Sequence, residues 1–249
     1  MSEHSDIDWT SATWNPLIGC TKYSDGCANC YAKPIAERLR DQGVPGYENG
    51  FNPTILPNRL DIPLHWKKPR LIFVNSMSDL FHDAVPTEYI QQVFDAMNRA
   101  DWHVYQVLTK RSHRMRELTE SGAIKWLPHI WPGVTIEADK YRARLDDLKA
   151  TKAQHKWLSL EPLIAPVERL DLTDIDWVIA CGESGRNARP MNLDWVRNIR
   201  DWTHQQGKLF WFKQLSAFDG GDIKSAPAML DGKVYNERPA FRSGTPSLF

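Results

Sequence analysis

Three of the four cysteines in this 249-residue chain lie close together. Cys20, Cys27 and Cys30 form the pattern C-x6-C-x2-C, and Cys181 stands far along the chain. Three thiolates on one loop suit a soft metal ion or an iron–sulfur cluster. A closed zinc site needs a fourth Cys or His at its own short spacing, and no histidine occurs between Cys30 and His65. The pattern favours a reactive centre with an open coordination position; a zinc site completed by a distant histidine, or a chance grouping of thiols, is the alternative.

Composition is that of an ordinary globular protein. Hydrophobic residues make up 42% of the sequence, and 31 Lys and Arg balance 31 Asp and Glu. A net charge of zero argues against a basic coat protein, so contact with nucleic acid would need a local patch. No apolar run reaches membrane-spanning length, and the first nine residues are polar and acidic, unlike a secretory leader. We therefore expect a cytoplasmic protein with no membrane association, and in that compartment clustered cysteines bind metal more often than they form disulfides.

Short apolar runs alternate with helical patterns along the chain. The runs cover residues 71–75, 103–108, 132–136, 156–160, 176–180 and 208–212. Such runs are typical of strands buried on both faces of a parallel sheet. Helices are predicted over residues 27–40, 87–100 and 142–152 and after a cap at Asn192, and a further strand near residues 13–19.

This alternation predicts an α/β fold, a partial (β/α)6–7 barrel of TIM-like architecture. An open, doubly wound sheet is the alternative. We expect a single barrel domain over residues 1–218, with the cysteine loop at 19–31, because no linker rich in Gly, Ser and Pro divides it. Residues 219–249 are rich in these residue types and are predicted to form a tail or a lid.

Nearly every apolar run ends on polar or charged residues. Active sites of barrels and α/β sheets lie at the carboxyl edge of the strands, so these side chains are expected to surround the cysteine loop. They are Asn75, Ser76, Ser78, Asp79, Thr109, Lys110, Arg111, Thr135, Glu137, Ser159, Glu161, Glu183, Ser184, Arg186 and Lys213. Trp14, six residues before Cys20, is predicted to wall the same site. In the alternative interpretation, Asp79 caps a turn and Lys110 and Arg111 are solvated charges.

Longer motifs resemble a known family. A three-cysteine loop after the first strand of a βα barrel resembles the radical S-adenosylmethionine (SAM) superfamily, whose usual spacing is C-x3-C-x2-C. From about residue 8 to residue 215, the chain is similar to a phage- and prophage-associated family of radical SAM-like proteins. The likeness is carried by WNPLIGC (14–20), CANCY (27–31), WKKPR (66–70), FVNSMSDLF (73–81), LTKR (108–111), LSLEPL (158–163), GESG (182–185), ARPM (188–191) and FKQ (212–214).

The resemblance implies a barrel of the radical SAM type. A [4Fe-4S] cluster would be held by Cys20, Cys27 and Cys30 and would bind SAM; its reduction by an external electron donor would yield a 5′-deoxyadenosyl radical. The implied cofactor-binding residues are Tyr31, Asn75, Ser76, Ser78, Asp79, Lys110, Glu137 and Glu161. The implied substrate-binding residues are Trp14, Glu183, Ser184 and Arg186. Lys213 would act catalytically, and Cys181 is expected either to donate a hydrogen atom or to be a small buried residue.

The phage association that the resemblance implies favours a nucleotide or DNA base as substrate. The reaction would be an isomerase- or lyase-type modification or rearrangement of a thymine-derived base. Arg186, Arg189, Lys213 and the basic run at 67–70 would hold phosphates, and Trp14 or Tyr31 would stack a base. The alternatives are a radical SAM enzyme acting on a free small metabolite and a non-catalytic protein that binds zinc or a cluster.

Overall fold

A sheet of seven parallel strands organises the computed structural model of the chain, which describes residue 5 and residues 7–185, 187–218 and 226–240. In chain order the strands are β1 (Ala12–Trp14), β2 (Leu17–Ile18), β3 (Thr54–Ile55), β4 (Leu71–Val74), β5 (Val104–Thr109), β6 (Ile130–Thr135), β7 (Trp157–Leu160), β8 (Trp177–Cys181), β9 (Leu209–Gln214), β10 (Met229–Leu230) and β11 (Lys233–Val234). The helices are α1 (Ala32–Asp41), α2 (Ile62–His65), α3 (Thr87–Arg99), α4 (Ser112–Glu120), α5 (Arg144–Ala150) and α6 (Leu193–Gln205).

The order of the strands separates the two predicted architectures. The large sheet runs β1-β4-β5-β6-β7-β8-β9, every neighbouring pair is parallel, and the sheet curls into a half-barrel. A doubly wound sheet reverses its strand order at a switch point, whereas β4 to β9 follow one another in space as they do in the chain. The predicted α/β class and partial barrel are confirmed at this level.

Helices cover the convex face of the sheet. Ile72 and Val107 from the strands share one buried cluster with Val93 and Met97 from α3 and Ile199 from α6. The predicted cap of α6 is confirmed, because the Asn192 side chain accepts a hydrogen bond of 2.8 Å from the backbone N–H of Asp194. The helix predicted from residue 27 begins later, at Ala32, after a short 3-10 turn at Asp25–Cys27.

Tryptophans fill the concave face near the amino ends of the strands. The cluster consists of Trp9, Trp131, Trp157, Trp177 and Trp211 with Leu71, Phe73 and Ile179. It needs a glycine in β6, because a Cβ atom on Gly133 would stand 2.5 Å from the indole ring of Trp157. This apolar plug adjoins the polar side chains at the carboxyl edge of the strands.

The described part of the C-terminal region packs against the edge of the sheet. Phe212 in β9 donates a backbone hydrogen bond of 2.8 Å to the carbonyl of Tyr235, and the Trp177 indole donates one of 2.7 Å to the carbonyl of Glu237. None of residues 226–240 lines the cavity described below, and this stretch packs against β9. Residues 219–225 and 241–249 lie outside the described residues.

No helix in the described ranges is both long and apolar enough to cross a membrane.

Candidate functional site

A cavity of about 860 Å³ lies at the carboxyl edge of the half-barrel, a volume typical of small-molecule sites. Trp9, Phe73 and Leu108 form an apolar part of its wall, continuous with the tryptophan plug. The cavity brings together most of the predicted site residues: Cys20, Cys27, Cys30, Tyr31, Asn75, Ser76, Ser78, Asp79, Lys110, Glu161, Glu183, Ser184 and Lys213. These predicted residues therefore gather at one cavity at the carboxyl edge of the sheet.

Three predicted residues, Trp14, Glu137 and Cys181, do not line the cavity, and one is not described. Trp14 points to the convex face, because side chains alternate along β1, and its indole donates a hydrogen bond of 2.8 Å to the carbonyl of Arg59. The expectation that Trp14 walls the site is corrected accordingly. Glu137 is fully buried beneath the cysteine loop and is not on the cavity wall. Arg186 lies outside the described residues.

The first support of the cysteine loop is the pair formed by Arg111 and Asp79, whose closest atoms, Nη1 and Oδ2, are 3.3 Å apart. Arg111 Nη1 also lies 3.5 Å from Cys20 Sγ, and Nη2 donates to Thr21 Oγ1 at 3.1 Å. Asp79 also accepts a hydrogen bond from the backbone N–H of Phe81, so it caps a turn, which is the alternative role predicted for it. Arg111 is only 3% exposed, which corrects the alternative that it is solvated.

Glu137, the residue that follows β6 by two positions, is the second support. Its carboxylate lies 2.9 Å from Lys110 Nζ and 2.7 Å from Arg144 Nη1, and it accepts a hydrogen bond from the Ser24 hydroxyl. Burial alone would raise the pKa of Glu137, but Lys110 and then Arg144 outweigh it and hold the pKa below its ordinary value. A buried anion with two cations therefore anchors the stretch of loop before Cys27.

The third support is Glu183, which follows β8. The Arg189 side chain donates two hydrogen bonds to its carboxylate, of 2.6 and 3.0 Å, and Asn29 Nδ2 donates one to the same carboxylate at 3.1 Å. Burial would raise the pKa of Glu183, but the Arg189 hydrogen bonds keep it below its ordinary value. Asn29 stands directly before Cys30, so this carboxylate fixes the last part of the loop.

The three thiols share one cavity but do not surround a single point. Burial is the main cause that raises the pKa of Cys20, to about 11, and that of Cys30, and Cys27 adds to both shifts. Within the described residues, no group of three or more His, Cys, Asp or Glu side chains is arranged to hold a metal ion. An iron–sulfur cluster is a larger body whose cysteines bind different iron atoms. Binding of a cluster by Cys20, Cys27 and Cys30 therefore stays a prediction.

Four side chains on the cavity wall have a buried polar atom without a hydrogen-bond partner among the described residues: Trp9 at its indole N–H, Arg111 at Nε, Asn75 and Ser159. Asn75, 4% exposed, and Ser159, 1% exposed, have no other side-chain partner there. Leaving a buried polar group unpaired costs about 1–3 kcal/mol, so both groups are suited to bind polar atoms of a ligand. Gln106 is also buried and unpaired but does not line the cavity.

A further ion pair lies on the cavity wall, where Lys213 Nζ is 2.5 Å from Glu161 Oε1. The neighbouring thiol of Cys181 is fully buried and donates to the carbonyl of Gly182 at 3.1 Å. Burial, followed by the nearby Glu161, raises the pKa of Cys181 well above its ordinary value, so the thiol is neutral. Tyr31 lies on the cavity wall, and its hydroxyl donates to the carbonyl of Ser76 at 2.6 Å.

Some residues of the site were not predicted. Trp9, Ser24, Asn29 and Arg144 carry no predicted role. Their partners are distant in sequence: Ser24 meets Glu137 113 residues away, and Asn29 meets Glu183 154 residues away. Polarity at the strand ends was the available signal, and it identified the carboxylates but not the loop residues that they hold.

Comparisons with known proteins give one match. No curated protein matches the chain, and no solved structure does. A family model described as a protein of unknown function, DUF5131, matches residues 4–239. Because that match spans nearly the whole sequence, the chain belongs to the DUF5131 family.

Proposed function

We propose that this protein is a radical SAM enzyme in which Cys20, Cys27 and Cys30 hold a [4Fe-4S] cluster. One observation carries the proposal: the three thiols of one braced loop face a single cavity at the carboxyl edge of a parallel half-barrel. When bound, the cluster and SAM supply one-electron cleavage of SAM and a radical that removes a hydrogen atom from a substrate. An external one-electron donor provides the electron.

Some polar side chains of the cavity already have hydrogen-bond partners within the protein, and others have none. Ser78 Oγ donates to the carbonyl of Leu17 at 2.9 Å, and Ser76 Oγ exchanges hydrogen bonds with the Asn15 amide, so both serines brace the chain. Asn75 and Ser159 have unpaired polar atoms and are our candidates for holding the polar groups of SAM.

Lys110 and Asp79 are committed to the supports of the cysteine loop, as described above. Their proposed contribution to cofactor binding is therefore indirect, through the placement of the thiols. Glu161 and Tyr31 line the cavity, but their side chains already pair with Lys213 and with the carbonyl of Ser76.

The apolar part of the wall supports a flat, ring-shaped substrate. Trp9 and Phe73 line the cavity with their ring centroids 4.8 Å apart, and aromatic side chains stack on nucleobases of any sequence. We therefore propose a nucleotide or a single extruded DNA base as substrate, with Lys213, Glu183 and Ser184 on the wall that would face it.

Recognition of phosphates has less support. Arg189 and Lys213 both pair with carboxylates, and the basic run at 67–70 precedes β4, at the amino edge of the sheet, away from the cavity. Cys181 is enclosed and hydrogen-bonded to the backbone, which supports its interpretation as a small buried residue over that of a hydrogen-atom donor. The proposed substrate contacts are therefore to the base.

Anaerobic reconstitution with iron and sulfide tests the proposal. We expect about four iron and four sulfide per chain. The triple variant Cys20→Ala, Cys27→Ala, Cys30→Ala should lose both, whereas Cys181→Ala should retain both because its thiol lies outside the loop. About one zinc per chain without sulfide, or full iron and sulfide in the triple variant, would overturn the proposal in favour of a non-catalytic metal-binding protein.

A further inference from the structure

Arg111 is a buried cation that touches a thiol of the cysteine loop. Its Nη1 lies 3.5 Å from Cys20 Sγ, within hydrogen-bond reach of sulfur, and its Nη2 donates to Thr21 at 3.1 Å. The Tyr23 ring covers the guanidinium, with its centroid 4.7 Å from Cζ. Residues 20, 21 and 23 therefore wrap around this one side chain, which is only 3% exposed.

The charge of Arg111 is the least closely neutralised of the three arginines that brace the site. Its distance to Asp79 is 3.3 Å, whereas Arg144 lies 2.7 Å from Glu137 and Arg189 lies 2.6 Å from Glu183. Strong charge-assisted pairs are about 2.7–2.9 Å long, so the contact between Arg111 and Asp79 is loose.

The carboxylate of Asp79 is also shared. It accepts hydrogen bonds from the hydroxyl of Thr109 at 2.7 Å and from the backbone N–H groups of Phe81 at 3.0 Å and Lys110 at 3.2 Å. The other carboxylate near Arg111 belongs to the exposed Asp83, 3.8 Å from Nε. Cys20 Sγ, 3.5 Å from Nη1, is thus a third neighbour of the guanidinium beside the two carboxylates.

We propose that Arg111 is a positioning residue that acts through Cys20 and raises the reduction potential of the cluster. The inference rests on the proposed function. On reduction the cluster gains one electron from an external one-electron donor, which is oxidised by one electron, and no bond to protein is made or broken. The added negative charge is stabilised by a cation and a hydrogen bond at a ligand sulfur, both of which are known to tune such potentials.

The predicted effect is a shift in an equilibrium. Arg111→Gln removes the cation while retaining a side-chain amide, and we expect it to lower the equilibrium constant for one-electron reduction by about tenfold, or about 59 mV. Arg111→Lys keeps the charge but loses the two guanidinium nitrogens that contact Cys20 and Thr21 at the same time, so we expect a smaller shift in the same direction. Arg116→Gln is the matched control, because Arg116 lies five residues further along the chain, on exposed α4, paired with Glu120.

The experiment is an anaerobic redox titration of the reconstituted full-length protein and the three variants, followed by absorbance and electron paramagnetic resonance. Iron content and circular dichroism are recorded for each sample. We expect similar iron content, a lowered potential for Arg111→Gln, an intermediate potential for Arg111→Lys and an unchanged potential for Arg116→Gln.

The outcomes separate the two claims. A cluster in all four proteins with the same potential overturns the role of Arg111 and leaves the proposed function intact. Failure of both Arg111 variants to hold iron, with unchanged circular dichroism, would make Arg111 a requirement for loop assembly and overturn the tuning role. Absence of a cluster from the unaltered protein overturns the proposed function and this inference with it.

Discussion

Gly26 lies directly against the side chain of Glu137. A Cβ atom on Gly26 would stand 2.6 Å from Cγ of Glu137, a separation that real Cβ atoms do not show. The cysteine loop reaches its carboxylate support only because residue 26 has no side chain. This contact links the end of β6 to the stretch that carries Cys27.

Gly26→Ala should therefore lift the loop from Glu137 and reduce iron uptake. Small-to-large changes in closely packed sites cost about 1–3 kcal/mol, enough to separate the thiols without unfolding the barrel. Iron and sulfide content after reconstitution measures the effect. The control is Gly43→Ala, where a φ of +68° strains an alanine but the added methyl group meets no atom within 4 Å, so it reports a destabilised glycine site without a clash at Glu137. Equal iron content in the two variants would show that this contact does not shape the site.

Glu137→Gln should destabilise the fold strongly. It leaves Lys110 and Arg144 without their shared anion in a buried setting, and removal of one partner of a buried pair typically costs about 3–5 kcal/mol. Urea denaturation gives the loss in the free energy of unfolding. Glu120→Gln, which breaks an exposed pair with Arg116, serves as the control and should change that free energy little. A Glu137→Gln variant as stable as the control would contradict the anchoring role.

The same carboxylate predicts a pH dependence. The pKa of Glu137 in the folded protein lies below its ordinary value of 4.5. The contribution of its carboxylate to the free energy of unfolding is therefore fully present above pH 4.5 and is lost as the pH falls through the folded pKa. The difference in the free energy of unfolding between the unaltered protein and Glu137→Gln should thus shrink as the pH falls below 4.5. Denaturation curves recorded at a series of acidic pH values measure it, and a constant difference would argue against a depressed pKa.

The amide of Asn75 provides a test of ligand binding. Asn75 has a φ of +64°, so Asn75→Gly removes the unpaired amide without straining the backbone. We expect about tenfold weaker SAM binding to the reconstituted protein, as for the loss of a buried hydrogen bond. Calorimetric titration gives the dissociation constant. Gln106→Leu is a matched control, because that amide is also buried and unpaired but lies off the cavity. Equal weakening in both variants would show that the effect is not specific to the cavity.

The strands were predictable because a strand that is buried on both faces of the sheet has a continuous run of apolar residues. Trp177 and Val178 face opposite sides of the sheet, and both are fully enclosed, so the run is apolar throughout. The helix α4 was not predicted, because it buries only Ser112 and Met115 and shows no broad apolar stripe.

The contacts of the site were less predictable than its location. Trp14 precedes Cys20 by six residues, but alternation along β1 turns it to the convex face, a direction that sequence proximity does not reveal. The carboxylates at the strand ends were identified, yet their use as supports for the loop depends on tertiary contacts such as that between Glu183 and Asn29. Residue type predicted which groups gather, and the three-dimensional structure decides which of them pair with one another.

The most direct test of the central claim is the formation of 5′-deoxyadenosine. The protein is reconstituted anaerobically, reduced with dithionite and incubated with SAM, and the products are separated by chromatography. We predict 5′-deoxyadenosine and methionine from the unaltered protein and neither above background from Cys27→Ala. A reconstituted protein that carries a full cluster but neither binds nor cleaves SAM would contradict the account.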